Sequence, residues 1–594
     1  MLPTALHDAS LCFVHVGILN TRAYLFERVD DRYHCLAHSK TSTTMNLPYH
    51  QLGLGVLDSI RQIQSLTGRI LLNDNQTIHC PSREDGTGVD RFLAAVSMLL
   101  PLKAGIIGVN DAISTTSAER LAQSFSLSTV YRTSMNDRRS RETRVTQLVH
   151  ENPEVILITG GFDDGSSQAL LPLLQELKTV FMMTTSENRP CVLFAGNQKM
   201  KQTIHEIFSP LTKVSYALNI RPALDDEDFT NAQHQLSLLI KNIYLQRIPA
   251  LATLDQWSEG KLAFFPTIYS RALRYLSLNG GGKNILGVNL DDEAVTSTLA
   301  MRGKLVQKVF TPYCAKNDDI TEEQLQETAQ WLYARVSLDE IRNYLYTKNL
   351  YPGAIAITKK ELAIEQAFTC SLLRKVSREI QQLIAYNKQM KTLANEQDEA
   401  YQSDFPIETI IASGNYIMAT PEIEQRTLLL LDGLQPKGFC MLYLDEYQIL
   451  PALGACAAVN TVLAAQVLET QPLTRLGVII APESTVPDGR PILRIRIITE
   501  NGIDVKYEVN KGDILRFPLL PTQLYIKPLQ GTDLGFGVGV AKRILFSDTG
   551  GKINQLPGCK LGIIIDARGR PFSPPKDFSL KREKYRRWIQ ALKG

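Results

Sequence analysis

The most constraining feature of this sequence is a strand–turn–strand pattern that occurs twice, far apart in the chain. The first copy lies within residues 11–38 as "LCFVHVGI", "RAYLFERV" and "YHCLAHSK", and the second is "ILGVNLDDEAVTSTLAMRGK" at 285–304. Between them, residues 101–240 alternate short apolar strands with helical patterns, as in "EVILITGG" before "SSQALLPLLQELKTV". Such alternation is typical of βαβ units around a parallel sheet. The chain is therefore predicted to contain two α/β halves, each with a hairpin.

Changes of pattern divide the 594 residues into three parts. Residues 1–282 are predicted to form a first α/β lobe with a βαβ insertion, and the glycine-rich break "NGGGKN" marks its end. Residues 283–471 are predicted to form a second lobe with a helical segment at 320–400, where apolar residues recur with a helical period. Residues 472–594 read as short strands between turns, which predicts a C-terminal β-domain that ends in a basic helix.

One hairpin in each α/β half, followed by the late strand and glycine turn "TIIASGNYIMATP", suggests the actin/hexokinase/Hsp70-like ATPase architecture. In that fold, two ribonuclease-H-like lobes clamp a nucleotide. The amides of each hairpin face the phosphates, and an Asp of the hairpin organises Mg²⁺. The predicted fold class is thus α/β, an actin-like two-lobe ATPase body with a C-terminal all-β domain.

A series of segments along the whole chain resembles the MutL/GlmL family, whose members are encoded beside adenosylcobalamin-dependent glutamate mutase. (The mismatch-repair protein that shares the name MutL is a different protein.) The segments, in chain order, are "RQIQSLTGRILLND", "GTGVDRFLAAVS", "EVILITGGFDDG", "CVLFAGN", "NIRPALD", "NILGVNL", "IIASGNYIMATP", "LLLLDGLQPKG", "ALGACAAVN" and "LGIIIDARGRP". The resemblance implies an actin-like ATPase that assists the mutase.

The first hairpin departs from the family pattern of an Asp, a Gly and a Ser/Thr run that ends in Lys. His15 stands at the Asp position, Gly17 is kept, and Asn20, Thr21 and Arg22 replace the Ser/Thr/Lys run. A neutral imidazole cannot replace the carboxylate, because hydrated Mg²⁺ prefers hard oxygen ligands. We expect this hairpin to hold Mg²⁺ poorly.

The second hairpin and a neighbouring turn also depart from the family pattern. The family's Asp becomes Asn289, which loses the charge, and its turn Gly becomes Asp291, whose charge would repel a phosphate. In "FLAAVSMLLPLKAG", the family's small turn residues become the bulkier "VSML" at 96–99, which predicts blocked access to the backbone. The second hairpin is therefore interpreted as a relic of a phosphate-binding turn.

Two other turns keep more of the family pattern. The turn "ITGGFDDG" keeps Gly160, Gly161 and Asp163. It is either a strand-to-helix turn near a ligand or metal, or an ordinary βα turn, and the ordinary turn is favoured because such turns are common. In "ASGNYIMATP", Ser413 and Gly414 are kept and Asn415 replaces a second Gly. This turn would flank an adenosine in an active member, and the structural alternative needs no ligand.

Composition narrows the classes of partner and cofactor. The net charge of +3 gives no electrostatic case for nucleic-acid binding by the whole chain. The nine cysteines form no CxxC pair, so a structural zinc site is not expected. No apolar run is long enough to span a membrane, and we expect a cytoplasmic protein without a transmembrane segment.

These observations favour a degenerate pseudo-ATPase without enzymatic activity or cofactor. It would act as a scaffold or chaperone through protein partners, with a cobalamin-dependent mutase or a second copy of the chain as candidates. One alternative is an accessory factor that reactivates the mutase with ATP and Mg. Another, by fold analogy only, is an actin-like adaptor in a filament or secretion apparatus. No catalytic residue and no metal ligand is predicted. The residues of the vestigial nucleotide site are Gly17, Asn20, Thr21, Gly160, Gly161, Asp163, Asn289, Ser413, Gly414 and Asn415.

Overall fold

Two sheets that begin with the same strand order form the body of the protein, one in each lobe. The structure is a computed structural model. It describes residues 10–45, 49, 51–97, 101–165, 168–312, 320–393, 407–470, 472–498, 502, 504–518, 523–529, 531–545 and 559–594. Met98 and Leu99 of the bulky turn predicted from the sequence lie outside these residues.

The first lobe is a five-stranded sheet with the order β10-β4-β1-β2-β3. Its strands are β1 (Ser10–Val16), β2 (Asn20–Val29), β3 (Arg32–Ser42), β4 (Arg91–Val96) and β10 (Ala263–Phe264). β1, β2 and β3 are antiparallel neighbours, whereas β4 runs parallel to β1, and β10 runs parallel to β4. The helices of this lobe are α1 (Leu52–Thr67), α6 (Thr230–Arg247), α7 (Pro249–Trp257) and α8 (Phe265–Asn279).

From its other edge, the sheet of the first lobe has the order β3-β2-β1-β4-β10. The second lobe repeats this order at one end of an eight-stranded sheet, as β13-β12-β11-β14-β15. These strands are β11 (Ile285–Leu290), β12 (Val295–Met301), β13 (Lys304–Phe310), β14 (Thr409–Ser413) and β15 (Gly438–Asp445). β11 is antiparallel to β12 and parallel to β14, as β1 is to β2 and β4. Two copies of the ribonuclease-H-like strand order confirm the predicted actin-like, two-lobe α/β fold.

Helices fill the rest of the second lobe. The segment between β13 and β14 contains α9 (Glu322–Gln330), α10 (Leu338–Leu350) and α11 (Lys359–Leu393). Capping boxes at Thr321 and Ser337 start the first two of these helices, since each side chain accepts the third helical amide. The remaining helices are α12 (Asn415–Met418), α13 (Ile423–Leu434), α14 (Ile449–Cys456) and α15 (Thr461–Glu469).

The stretch between β4 and β10 contains a second, fully parallel sheet of five strands, ordered β6-β5-β7-β8-β9. Its strands are β5 (Lys103–Gly108), β6 (Ser128–Ser134), β7 (Val155–Ile158), β8 (Cys191–Phe194) and β9 (Val214–Tyr216). Its helices are α2 (Thr116–Gln123), α3 (Arg141–Glu151), α4 (Leu171–Met183) and α5 (Lys201–Phe208). The alternating pattern of the sequence therefore becomes a βαβ layer, inserted into the first lobe.

The C-terminal part is rich in strands, as predicted, and it is joined to the second lobe. The strands are β16 (Thr474–Ala481), β17 (Glu483–Ser484), β18 (Pro491–Ile498), β19 (Asp504–Asn510), β20 (Ile514–Phe517), β21 (Gln523–Pro528), β22 (Thr532–Asp533), β23 (Lys542–Leu545) and β24 (Gly562–Asp566). β16 pairs with β15, so β16, β24 and β20 continue the sheet of the second lobe. The final helix, α16 (Phe578–Lys593), packs its aromatic face on that lobe, where Tyr585 stacks on Tyr333.

Within the part of the chain that the structure describes, every helix is too short or too polar to cross a bilayer.

Candidate functional site

The turns of the two hairpins meet between the lobes, at the ends of β1 and β11. The first turn is closed by the Gly17 amide, which donates to the Asn20 carbonyl at 2.9 Å. An added Cβ at Gly17 would lie 2.7 Å from Oε1 of Glu293 and 2.9 Å from the Asn20 carbonyl oxygen, so a side chain there would have to displace one or both. A residue of the second hairpin is therefore in direct contact with the turn of the first.

Glu293 of the second hairpin accepts hydrogen bonds from two groups of the first lobe. Its Oε2 accepts a hydrogen bond from the Ile18 amide at 2.9 Å, and its Oε1 accepts one from the Ser97 hydroxyl. Burial, together with the nearby charge of Asp291, raises the pKa of Glu293 to about 7. An amide in the turn of the first hairpin is thus bonded to a carboxyl group of the second hairpin.

His15 and Ser97 lie behind Glu293, and both are buried. The His15 Nε2 is 3.2 Å from the Ser97 Oγ, a contact that sequence reasoning did not find. Burial and the nearby Arg22 lower the pKa of His15 to about 3, so its imidazole is neutral near pH 7. The Ser97 hydroxyl thus links the imidazole of His15 to the carboxyl group of Glu293. The cavity lined by Ser97, Asp291 and Glu293 has a volume of about 10 Å³, whereas a wider groove of about 1380 Å³ is lined by Ile18, Asp292 and Glu293 among others.

Asp291 is buried and fully bonded at the same junction. Its Oδ1 accepts the Asn415 amide at 3.0 Å, its Oδ2 accepts Nε2 of Gln448 at 2.8 Å, and Arg22 lies 3.7 Å away. Burial acts to raise the pKa of Asp291, but Arg22 and the two hydrogen bonds outweigh it and hold the pKa below its ordinary value. Asp291 is therefore ionised, and its charge faces an arginine of the first lobe.

The turn after β14 joins the same cluster. The Ser413 hydroxyl donates to Oδ1 of Asn289 at 2.9 Å. Gly414 has φ +103°, and a Cβ there would lie 2.2 Å from the Leu290 carbonyl, so only glycine fits. Asn415 accepts from Arg22 at 3.2 Å and from Lys40 at 3.1 Å. Three of the predicted residues thus lie against the two hairpins.

The other predicted residues lie apart from this junction or face away from it. The Thr21 hydroxyl bonds that of Thr43 at 2.9 Å, away from the second hairpin. The turn of Gly160, Gly161 and Asp163 follows β7 in the inserted sheet. There Asn219 donates to the Gly161 carbonyl and to Asp163, both at 2.9 Å. Among the hydrogen bonds between described residues, none joins this turn to either hairpin.

The donors and acceptors of the junction do not fit Mg²⁺ and a nucleotide phosphate. Asp445 accepts the Ile449 and Leu450 amides at 2.8 and 2.9 Å, and the oxygens of Asp291 and Glu293 are also occupied. Asp292 accepts from Asn415 at 2.6 Å. Within the described residues, no three potential metal ligands converge. The carboxylates of this junction act as internal hydrogen-bond acceptors.

Comparison with known proteins supports the family indicated by the sequence. Residues 11–290 match a family model described as "MutL protein". This segment belongs to the MutL family. It ends at Leu290, just before the turn that contains Asp291 and Glu293. The MutL segment therefore provides Ile18, Arg22 and Ser97, while their acidic partners come from the residues that follow it. No match was found among curated protein sequences.

Three solved structures resemble this chain, but their sequence identities and TM-scores are low. One, of acetone carboxylase without nucleotide, is 10% identical, covers 85% of this chain and 81% of its own, and has a TM-score of 0.34. An ATP-dependent caprolactamase from Pseudomonas jessenii is 10% identical over 84% of this chain and 81% of its own, with a TM-score of 0.30. A xylulose kinase from Bifidobacterium adolescentis is 10% identical over 79% of this chain and 96% of its own, with a TM-score of 0.26. These likenesses are too distant to indicate an activity or a partner.

Proposed function

We propose that this protein is an actin-like scaffold that has lost nucleotide binding and acts through protein partners. The observation that carries the proposal is the Glu293 carboxylate, which accepts the Ile18 amide at 2.9 Å and the Ser97 hydroxyl. An incoming phosphate would have to displace it from both donors. Each hydrogen bond contributes roughly 0.5–3 kcal/mol, with the larger values for the ionised carboxylate, so displacement would weaken binding by roughly one to four orders of magnitude.

The surrounding charges support the same proposal. His15 is neutral and offers Mg²⁺ no oxygen, and Asn289 already accepts the Ser413 hydroxyl at 2.9 Å. Asp291 and Arg22 are paired with each other across the lobes, so the arginine is not free to bind a phosphate. Each group that an ATPase would direct at its nucleotide has an internal partner here.

The MutL match supports a partner of the kind that the family resemblance implies, a cobalamin-dependent mutase in the cytoplasm. The proposed assistance would come from binding rather than from ATP turnover. Co-purification of the mutase with the full chain, with equal yield in the presence and absence of Mg-ATP, is the expected result. Release of the mutase on addition of Mg-ATP would favour the alternative of an ATP-driven reactivating factor.

Isothermal titration calorimetry of the full chain with Mg-ATP tests the loss of nucleotide binding. We expect no heat of binding, with or without Mg²⁺, because the position of the phosphate is filled. A well-folded nucleotide-binding protein measured in the same buffer controls for the activity of the ligand. Saturable binding in the micromolar range would contradict the proposal.

A further inference from the structure

One face of a C-terminal sheet is strongly basic and exposed. Strands β18, β19, β21 and β23 form an antiparallel sheet with the order β19-β18-β21-β23. Alternate residues such as Leu493, Ile495 and Ile497 are buried in a small core beneath it. The residues between them, including Arg494 and Arg496, point to the opposite side and are exposed. We call this opposite side the basic face.

Strand pairing arranges the basic face in rows that cross the sheet. In the first row, Lys506 is opposite Arg496, Arg496 is opposite Tyr525, and Tyr525 is opposite Arg543. In the second row, Glu508 is opposite Arg494, which is opposite Lys527. In each row, cations on two adjacent strands therefore lie side by side, which is unfavourable unless counter-charges are supplied.

The carboxylates of the basic face neutralise only part of its charge. Glu508 pairs with Arg494 at 3.2 Å, and Asp504 pairs with Arg496 at 2.6 Å. Lys506 and Lys527 have no ion-pair partner among the described residues, and Arg543 donates to the neutral Gln523 at 3.0 Å. In the described part of the chain these three cations form no ion pair, and Asp504, which already pairs with Arg496, is near enough to act on the charge of Lys506.

The basic face is concave. Residues from all four of its strands line a groove of about 660 Å³. This volume falls within the range of roughly 300–1,000 Å³ that is typical of sites for ligands of moderate size. The groove can therefore hold several side chains of another molecule, rather than a single ion.

We propose that the basic face binds an extended, acidic segment of a partner protein. Alternate residues of an extended chain are about 6.6 Å apart. The cations at alternate positions of one strand, such as Arg494 and Arg496, have the same repeat. An acidic segment that lies along the strands can thus place successive carboxylates over successive rows, and the arginines can bind carboxylates through two parallel hydrogen bonds.

The details of the basic face favour an acidic protein segment over a nucleic acid. The ring of Tyr525 has Arg496 at 5.8 Å and Arg543 at 5.2 Å from its centre, so it is not free to stack on a base. The proposal rests on the scaffold role and names the chemistry of its partner. The Mg-ATP titration does not involve these residues, so either proposal can fail alone.

The test measures binding of a fluorescent peptide of alternating Glu and Ser, about ten residues long, to the full chain by anisotropy. We expect the triple variant Lys506→Glu, Lys527→Glu, Arg543→Glu to bind at least about tenfold more weakly, and the binding of the parent to weaken with added salt. The matched control is Arg83→Glu, Arg138→Glu, Lys178→Glu, which makes the same change of charge at exposed positions elsewhere. This control should bind within about twofold of the parent.

Two results would overturn the proposal. Equal loss of peptide binding in both triple variants would show an effect of net charge alone. Tighter binding of an oligothymidylate of the same length than of the peptide would assign the basic face to nucleic acid. If the charge reversals prevent folding, the neutral variant Lys506→Gln, Lys527→Gln, Arg543→Gln replaces them, with the same comparison and an intermediate loss expected.

Discussion

At the scale of single residues, Glu293 connects the two hairpins, and no sequence pattern indicated this role. His15, Asn289 and Asp291 could be identified as departures because each stands at a position with a known pattern. Glu293 has no such reference, and its bonding partner, Ile18, is 275 positions away in the chain. A hydrogen bond between residues so far apart in the chain becomes visible only in the folded structure, where the two lobes are in contact.

The raised pKa of Glu293 leads to a prediction about stability and pH. Its pKa is about 7 in the folded chain against an ordinary value of 4.5, so the folded chain holds this proton more tightly. The contribution of the group to stability is therefore complete below pH 4.5 and is lost as the pH rises to about 7. Glu293→Gln keeps the size of the side chain and does not ionise.

The melting temperatures of the Glu293→Gln variant and the parent should consequently diverge as pH rises. Between about pH 5 and about pH 8, we expect the free energy of unfolding of the variant to rise relative to that of the parent by about 3 kcal/mol. Glu84→Gln, at an exposed position, is the control and should show no such trend. A difference between Glu293→Gln and the parent that stays constant over this range would show that Glu293 titrates normally.

At the scale of elements, the sequence predicted the kind of structure better than its connections. The hairpins, the inserted βαβ layer and the helical segment after β13 follow from local periodicity and turn residues. The pairing of β16 with β15 cannot be predicted in this way, because the pattern of apolar residues at 474–481 does not specify which strand lies beside it. The boundary predicted at 472 thus stays a prediction about sequence pattern, and the strands on either side of it share one sheet.

A buried charge cluster links the C-terminal strands to the second lobe. Arg568 donates to Asp432 at 2.6 Å and to Asp566 at 2.8 Å, and it lies against the rings of Phe572 and Trp588. Removing one partner of a buried ion pair typically costs about 3–5 kcal/mol, because the other charge stays buried without compensation. The cluster should therefore contribute strongly to the cohesion of these two parts.

We expect Arg568→Met to lower the free energy of unfolding of the full chain by about 3–5 kcal/mol. Arg342→Met removes an exposed pair with Asp339 and should cost about 0–1 kcal/mol. Denaturant unfolding followed by tryptophan fluorescence measures both, since Trp588 lies beside Arg568. Similar losses in the two variants would show that the buried cluster does not hold the C-terminal strands to the lobe.

At the scale of the whole molecule, contacts within the chain join the two lobes at several places. Besides Glu293 and Asp291, the Tyr24 hydroxyl donates to the Tyr447 carbonyl at 2.6 Å. Tyr386 of α11 lies 4.1 Å from the guanidinium of Arg120 in the inserted layer. These contacts join the second lobe directly to the first lobe and to its inserted layer.

The most direct test of the central claim compares Mg-ATP affinity in two restored variants. The triple variant His15→Asp, Asn289→Asp, Asp291→Gly rebuilds the carboxylates and the turn but leaves Glu293 on the Ile18 amide. The quadruple variant adds Glu293→Ala and frees that amide. By calorimetry we expect no binding to the parent, little or none to the triple variant, and a gain of about tenfold or more for the quadruple variant. Equal affinity of the triple and quadruple variants, or micromolar binding to the parent, would contradict the claim that Glu293 takes the place of the phosphate.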